Sequence, residues 1–171
     1  MDGPNRDHSM TDDPKTEERQ GQGAREPILN LPGAVLALCA AMVLIHLART
    51  FVLNEEGQFN LLLWFAFVPY RLIDSSGEFG GLWPLLWTPV THAFLHAGWE
   101  HLIFNTLWLA IFGTPVARRY GTVPMLIIFA ASAIAGAALY AAYALGVREP
   151  GFLLGASGGI AGLTGAAVRF M

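Results

Sequence analysis

The sequence predicts an all-α membrane protein, a polytopic helical bundle behind a polar N-terminal tail. Three observations carry this. Of 171 residues, 54% are hydrophobic and 13% charged, against about 25% charged in an ordinary soluble domain. The charge is unevenly placed, with seven of the thirteen acids and four of the ten Lys/Arg inside residues 1–27. Beyond Pro27 the chain is apolar over stretches of membrane-crossing length, the profile of a membrane domain.

Residues 1–27 mix both charges and are poor in aromatics. Such a segment cannot bury enough apolar surface to fold, so a disordered tail is expected. It is too long and too acidic to begin a secretory signal, and no small-residue cleavage site follows the first apolar run. The net charge of −3 arises in this tail, and no basic stripe points to nucleic acid. The single Cys39 lies in an apolar run. It supports no disulfide framework and reads as a small hydrophobe.

Residues 28–171 are expected to form the membrane domain. The first span, about 33–53, has the roughly 20 apolar residues that a hydrocarbon core requires. His46 and Arg49 lie near its far end, where a long cationic side chain can reach the headgroups. Residues 54–98 are too apolar for a solvated loop. Within them FNLLLWFAFVP is too short to span easily, and Trp64, Phe65, Trp83 and Trp87 fit a segment lying in the interface. A second span is expected at about 99–116, closed by Arg118 and Arg119. A third, about 123–145, carries Ser132, Ala133, Gly136 and Ala137 at a spacing that permits close helix approach. A fourth begins at Ser157, with Gly158, Gly162 and Gly165 on or near one face, and is still apolar at Met171. With the tail inside, Arg6, Lys15, Arg19, Arg25, Arg118, Arg119 and Arg169 face the cytoplasm, and Arg49, Arg71 and Arg148 face out. The positive-inside rule therefore favours a cytoplasmic N-terminus.

Two clusters bear chemistry. The first, THAFLHAGWEHLIFN, contains His92, His96, His101 and Asn105. Polar side chains at membrane depth need partners or a wet cavity. His101 and Asn105, at i and i+4, share one helix face, and both can donate hydrogen bonds. Three readings stand: structural hydrogen bonding, a zinc site suggested by the HxxxH of His92 and His96, and an oxyanion site. Neither an HExxH motif nor a further well-placed ligand supports zinc. The second cluster is GASGG, Gly155 to Gly159. Ser157 opens a helix there, where unpaired amides favour negative charge. The α/β-hydrolase nucleophile elbow shares the GxSxG pattern but requires a preceding strand and a later acid and histidine; here the flanks read as membrane helices.

Together the two clusters resemble the signature of the rhomboid family, in which H-x-x-x-x-H-x-x-x-N on the second membrane helix pairs with G-x-S-G opening the fourth. Here these are His96, His101 and Asn105, then Gly155, Ala156, Ser157 and Gly158. The resemblance covers about residues 30–171 and implies a rhomboid-like bundle with about four of six core transmembrane helices present. It implies an intramembrane serine protease acting on single-span membrane proteins within the lipid bilayer. Ser157 would be the nucleophile, and His101 and Asn105, with the Ser157 amide, the oxyanion hole. His92 and His96 would organise the first loop. No cofactor is implied, since every role falls to protein groups.

The family's catalytic base is a histidine on the sixth helix, and none of the five histidines here follows Ser157. The chain is thus expected to be an incomplete form and inactive by itself. The alternative is a non-catalytic protein of the same fold that binds membrane helices. Smaller departures are Ala117 where the family commonly has Glu, Trp87-Thr88 where it has Trp-Arg, and Ala161 where some members carry an aromatic.

Overall fold

A computed structural model describes residues 3, 30–74, 76–147 and 151–170. The predicted tail, apart from Gly3, lies outside the described residues, as do Arg148 and Met171. The chain divides after Asn30, and the helices belong to the unit that begins at Leu31.

Six α-helices and three short 3-10 turns make up this unit, with no strand among the described residues. Helix α1, Gly33–Phe51, starts after Pro32, whose fixed φ suits a helix entry. Asn54 caps α2, Glu55–Phe65, by accepting from the Gly57 N–H at 2.9 Å. The one-turn α3 is Thr88–Thr91. The remaining three, α4 (Trp99–Tyr120), α5 (Thr122–Val147) and α6 (Ser157–Val168), form the rest of the bundle.

Helices α1 and α5 are long and apolar enough to cross a membrane. Helix α4, at 22 residues, reaches about 33 Å and is the polar helix of the set. It runs past the expected end at 116 and takes Arg118 and Arg119 into its last turn, where cations complement the exposed carbonyls. Gly121, at φ +93, then turns the chain directly into α5. Helix α6 has 12 residues and so extends only about 18 Å.

The core joins α1, α4, α5 and α6 through Val35, Met42, Leu109, Met125, Phe129 and Leu163. The α5–α6 interface is the most extensive, and the small residues explain why. A Cβ on Gly158 would lie 3.6 Å from the Ala133 Cα, and one on Gly136 would lie 3.4 Å from the Gly158 Cα. Gly159 faces Phe129, and Gly162 faces Ser132 so closely that any side chain would collide. Gly165 meets nothing, so the predicted glycine face is narrower than the sequence spacing indicated.

The loop differs most from expectation. The run Phe59–Pro69 is not one continuous element. Phe59, Trp64 and Phe65 are exposed on α2, whereas Ala66, Phe67 and Val68 are buried in extended backbone. Phe67 and Leu153 exchange backbone hydrogen bonds of 3.1 and 2.9 Å. Pro69, which has no N–H to continue a helix, opens the 3-10 turn Pro69–Leu72. Arg71 is 2% exposed; it donates from Nε to the Phe79 carbonyl at 2.6 Å and from Nη2 to the Leu63 carbonyl. Trp87 stacks on Trp64 and donates from Nε1 to its carbonyl at 2.7 Å. The loop is therefore a packed structure clasped by two polar side chains.

Candidate functional site

Ser157 is the first residue of α6 and is exposed. Its position is fixed by the turn before it. Gly155 holds φ +114, and a Cβ there would stand 2.5 Å from Nε2 and 2.6 Å from Cε1 of His101. Only glycine lets the imidazole lie on the backbone two residues before the serine. The Gly155 N–H also donates to the His92 carbonyl at 3.0 Å. The two sequence clusters thus meet at Gly155.

Asn105 sits one turn beyond His101 on α4 and is 5% exposed. Its Nδ2 donates to the His101 carbonyl at 2.7 Å, which leaves one amide N–H for another acceptor. Asn105 and Ser157 line one cavity of about 320 Å³, walled by Trp108, Phe112, Ile160 and Thr164. A serine, an amide donor and the unpaired amides of a helix N-terminus therefore border a mostly apolar space. There a developing negative charge would be stabilised more strongly than in water.

The supporting histidines divide by environment. His92 is buried, with Nδ1 3.0 Å from the Thr88 carbonyl; burial pushes its pKa below the usual imidazole value. His96 is 1% exposed, and neither ring nitrogen has a protein partner. Its ring meets that of His101 edge-on at 5.1 Å. Burial, then the charges of His101 and His46, push its pKa down to about 4, so the ring is neutral at pH 7. Gly158 faces α5 rather than the cavity; its place is in packing. Among the described residues, no three His, Cys, Asp or Glu side chains converge as ligands for a metal ion.

Two contributors near the site were not recognised from sequence. Arg49 donates from Nη1 to the His96 carbonyl at 2.5 Å, and His46 packs edge-on against Trp99 at 4.6 Å. The sequence predicts only that Arg49 reaches the headgroups and that His46 lies near the end of the first span. Their i, i+3 spacing, which puts them on one face of α1, was the available signal.

The fold and site define a class: a helical membrane protein in which Asn105 shares a cavity with a serine at the head of a glycine-rich helix, and His101 rests on the turn before it. A family model described as the Rhomboid domain matches residues 84–171, just over half of the chain and including both clusters. This chain belongs to the rhomboid family. It is 30% identical over 101 residues to the rhomboid protease GlpG of Klebsiella pneumoniae strain 342, covering 59% of this chain and 31% of that protein. The rhomboid protease GlpG of Haemophilus influenzae is 29% identical over 102 residues, 59% of this chain and 46% of that protein. The corresponding protein of Yersinia pestis strain Pestoides F is 30% identical over 101 residues, again 59% of this chain and 31% of that protein. The match therefore spans 31% to 46% of the length of these relatives, less than half of each.

Proposed function

We propose that these residues supply the nucleophile and oxyanion site of an intramembrane serine protease that cleaves single-span membrane proteins. The observation that carries this reading is the shared cavity of Ser157 and Asn105, with the His101 ring against Gly155. In this reading Ser157 Oγ attacks the scissile carbonyl carbon while its proton passes to a general base. Side-chain N–H groups of His101 and Asn105, with the Ser157 amide, hold the oxyanion. Collapse of the tetrahedral intermediate breaks the C–N bond, and the leaving amine takes the proton. Water then hydrolyses the acyl-enzyme. No step needs a cofactor. Residues 28–171 act as the membrane domain, and residues 1–27 face the cytoplasm.

A serine hydroxyl needs a base, and the family resemblance assigns that role to a histidine on a later helix. No histidine follows Ser157 in these 171 residues, so by themselves they are expected not to turn over a single-span substrate. A longer form carrying two further spans and a histidine is expected to label with a fluorophosphonate through Ser157. Labelling that survives Ser157→Ala refutes the assignment, and substrate turnover by the 171 residues alone refutes the role given to the later histidine.

A further inference from the structure

A second polar site lies between the end of α1, α2 and the beginning of α4. A cavity of about 240 Å³ is lined there by His46, Arg49, Thr50, Gln58, Gly98 and Trp99. Its walls are rich in hydrogen-bond donors. Arg49 spends Nη1 on the His96 carbonyl, and its buried Nε has no protein partner. His46 is 4% exposed, and its Nδ1 likewise has none. Gly98 caps the 22-residue α4 without any side-chain cap hydrogen bond, and the first amides of a long helix favour an anion. Thr50 adds a hydroxyl. The acids closest in sequence, Glu55, Glu56 and Glu100, are exposed, and none lines the cavity. A buried guanidinium nitrogen and imidazole nitrogen without partners are costly, and an oxyanion would satisfy both.

The position identifies the oxyanion. The cavity lies at the end of an apolar span, where headgroups begin. Exposed Trp99 lines it, with exposed Phe51 against the Trp99 ring, the aromatic pattern of a membrane interface. We propose that this cavity binds the phosphate of a phospholipid headgroup, gripped by Arg49 and His46 and by the amides that open α4. The lipid would thereby brace the helix that carries His101 and Asn105. Free phosphate shares the same chemistry, and the test separates the two sources.

The 171-residue chain, delipidated in dodecylmaltoside micelles, would be titrated with phosphatidylglycerol, with diacylglycerol of the same chains, and with inorganic phosphate. Bound molecules would be counted by native mass spectrometry. One tightly held phosphatidylglycerol is expected, with diacylglycerol and inorganic phosphate each bound much more weakly. Arg49→Gln should weaken phosphatidylglycerol about tenfold, the worth of one charged hydrogen bond. Arg118→Gln with Arg119→Gln, in the last turn of α4, should leave that binding unchanged. Where Arg49→Gln fails to fold, Thr50→Val with Gln58→Leu keeps the bond to His96 and should still weaken binding at least about threefold. Equal retention of diacylglycerol overturns the proposal, as does full binding by whichever variant folds. Inorganic phosphate binding as tightly as the lipid overturns the headgroup as occupant.

Discussion

Gly155→Ala is the sharpest perturbation available, because it tests the contact that joins the two motifs. Two costs follow from the structure. The first is backbone strain: alanine at φ +114 occupies a region that costs on the order of 1–3 kcal/mol. The second is overlap. The new methyl would stand 2.5 Å from His101 Nε2 and 2.6 Å from Cε1, and relieving such overpacking costs about 1–3 kcal/mol. Together they amount to about 2–6 kcal/mol. Only the second cost depends on the imidazole. In a His101→Ala background, Gly155→Ala should therefore cost only the backbone part. The double-mutant cycle should show a coupling of about 1–3 kcal/mol. The assay is unfolding of the four proteins in dodecylmaltoside micelles by added dodecyl sulfate, followed by tryptophan fluorescence. A cost for Gly155→Ala that agrees within about 0.5 kcal/mol in the two backgrounds refutes the claim that the ring rests on the Gly155 backbone.

Three further outcomes are expected. Acid should destabilise the fold through His96, whose pKa is about 4 when folded against 6.5 normally. Below pH 6.5 the unfolded chain takes up a proton that the folded chain refuses, so stability falls as pH drops towards 4, by at most about 3 kcal/mol. His96→Phe should flatten the pH dependence of the unfolding midpoint across this window. Gly162→Val should destabilise the α5–α6 contact by about 1–3 kcal/mol. Ser132→Gly in the same protein should recover part of that loss, measured by the same unfolding assay. Arg71→Met removes two hydrogen bonds from a charged donor and should cost about 2–5 kcal/mol. Faster proteolytic nicking within residues 54–98, at rates compared in the same micelles, is the readout.

Much of the helical frame was legible because a bilayer demands length and apolarity, and both are written along the chain. Gly33 begins α1, Trp99 begins α4 and Ser157 begins α6 as expected. Ser132, Ala133 and Gly136 advertised a close helix approach through their size alone, but only the structure shows that α6 is the partner. The candidate site was legible as two clusters because His101, Asn105 and Ser157 are expensive or unusual in a membrane helix. Their meeting point was not, since only the three-dimensional structure shows the His101 ring lying on Gly155. The loop resisted for a different reason. Ala66 to Val68 carry the same apolar character whether they lie in an interface or are buried, and the pairing of Phe67 with Leu153 spans 86 positions. Arg71 and Arg49 are likewise mute as single letters. Each finds backbone carbonyls whose placement is set by tertiary packing, so a reading from charge alone sends them outward.

The glycine face of α6 has a consequence for angular precision. An α-helix turns about 100° and advances about 1.5 Å per residue, so a slip of one residue against α5 would swing Ser157 a quarter-turn or more away from Asn105. Two contacts oppose such a slip. Gly162 meets Ser132, where neither Ala161 nor Leu163 would fit, and Gly159 meets Phe129, where Ile160 would not fit. These positions work as detents that index the helix. They set the rotation of the helix that carries Ser157 from two residues and more than one turn away, without touching whatever the serine touches.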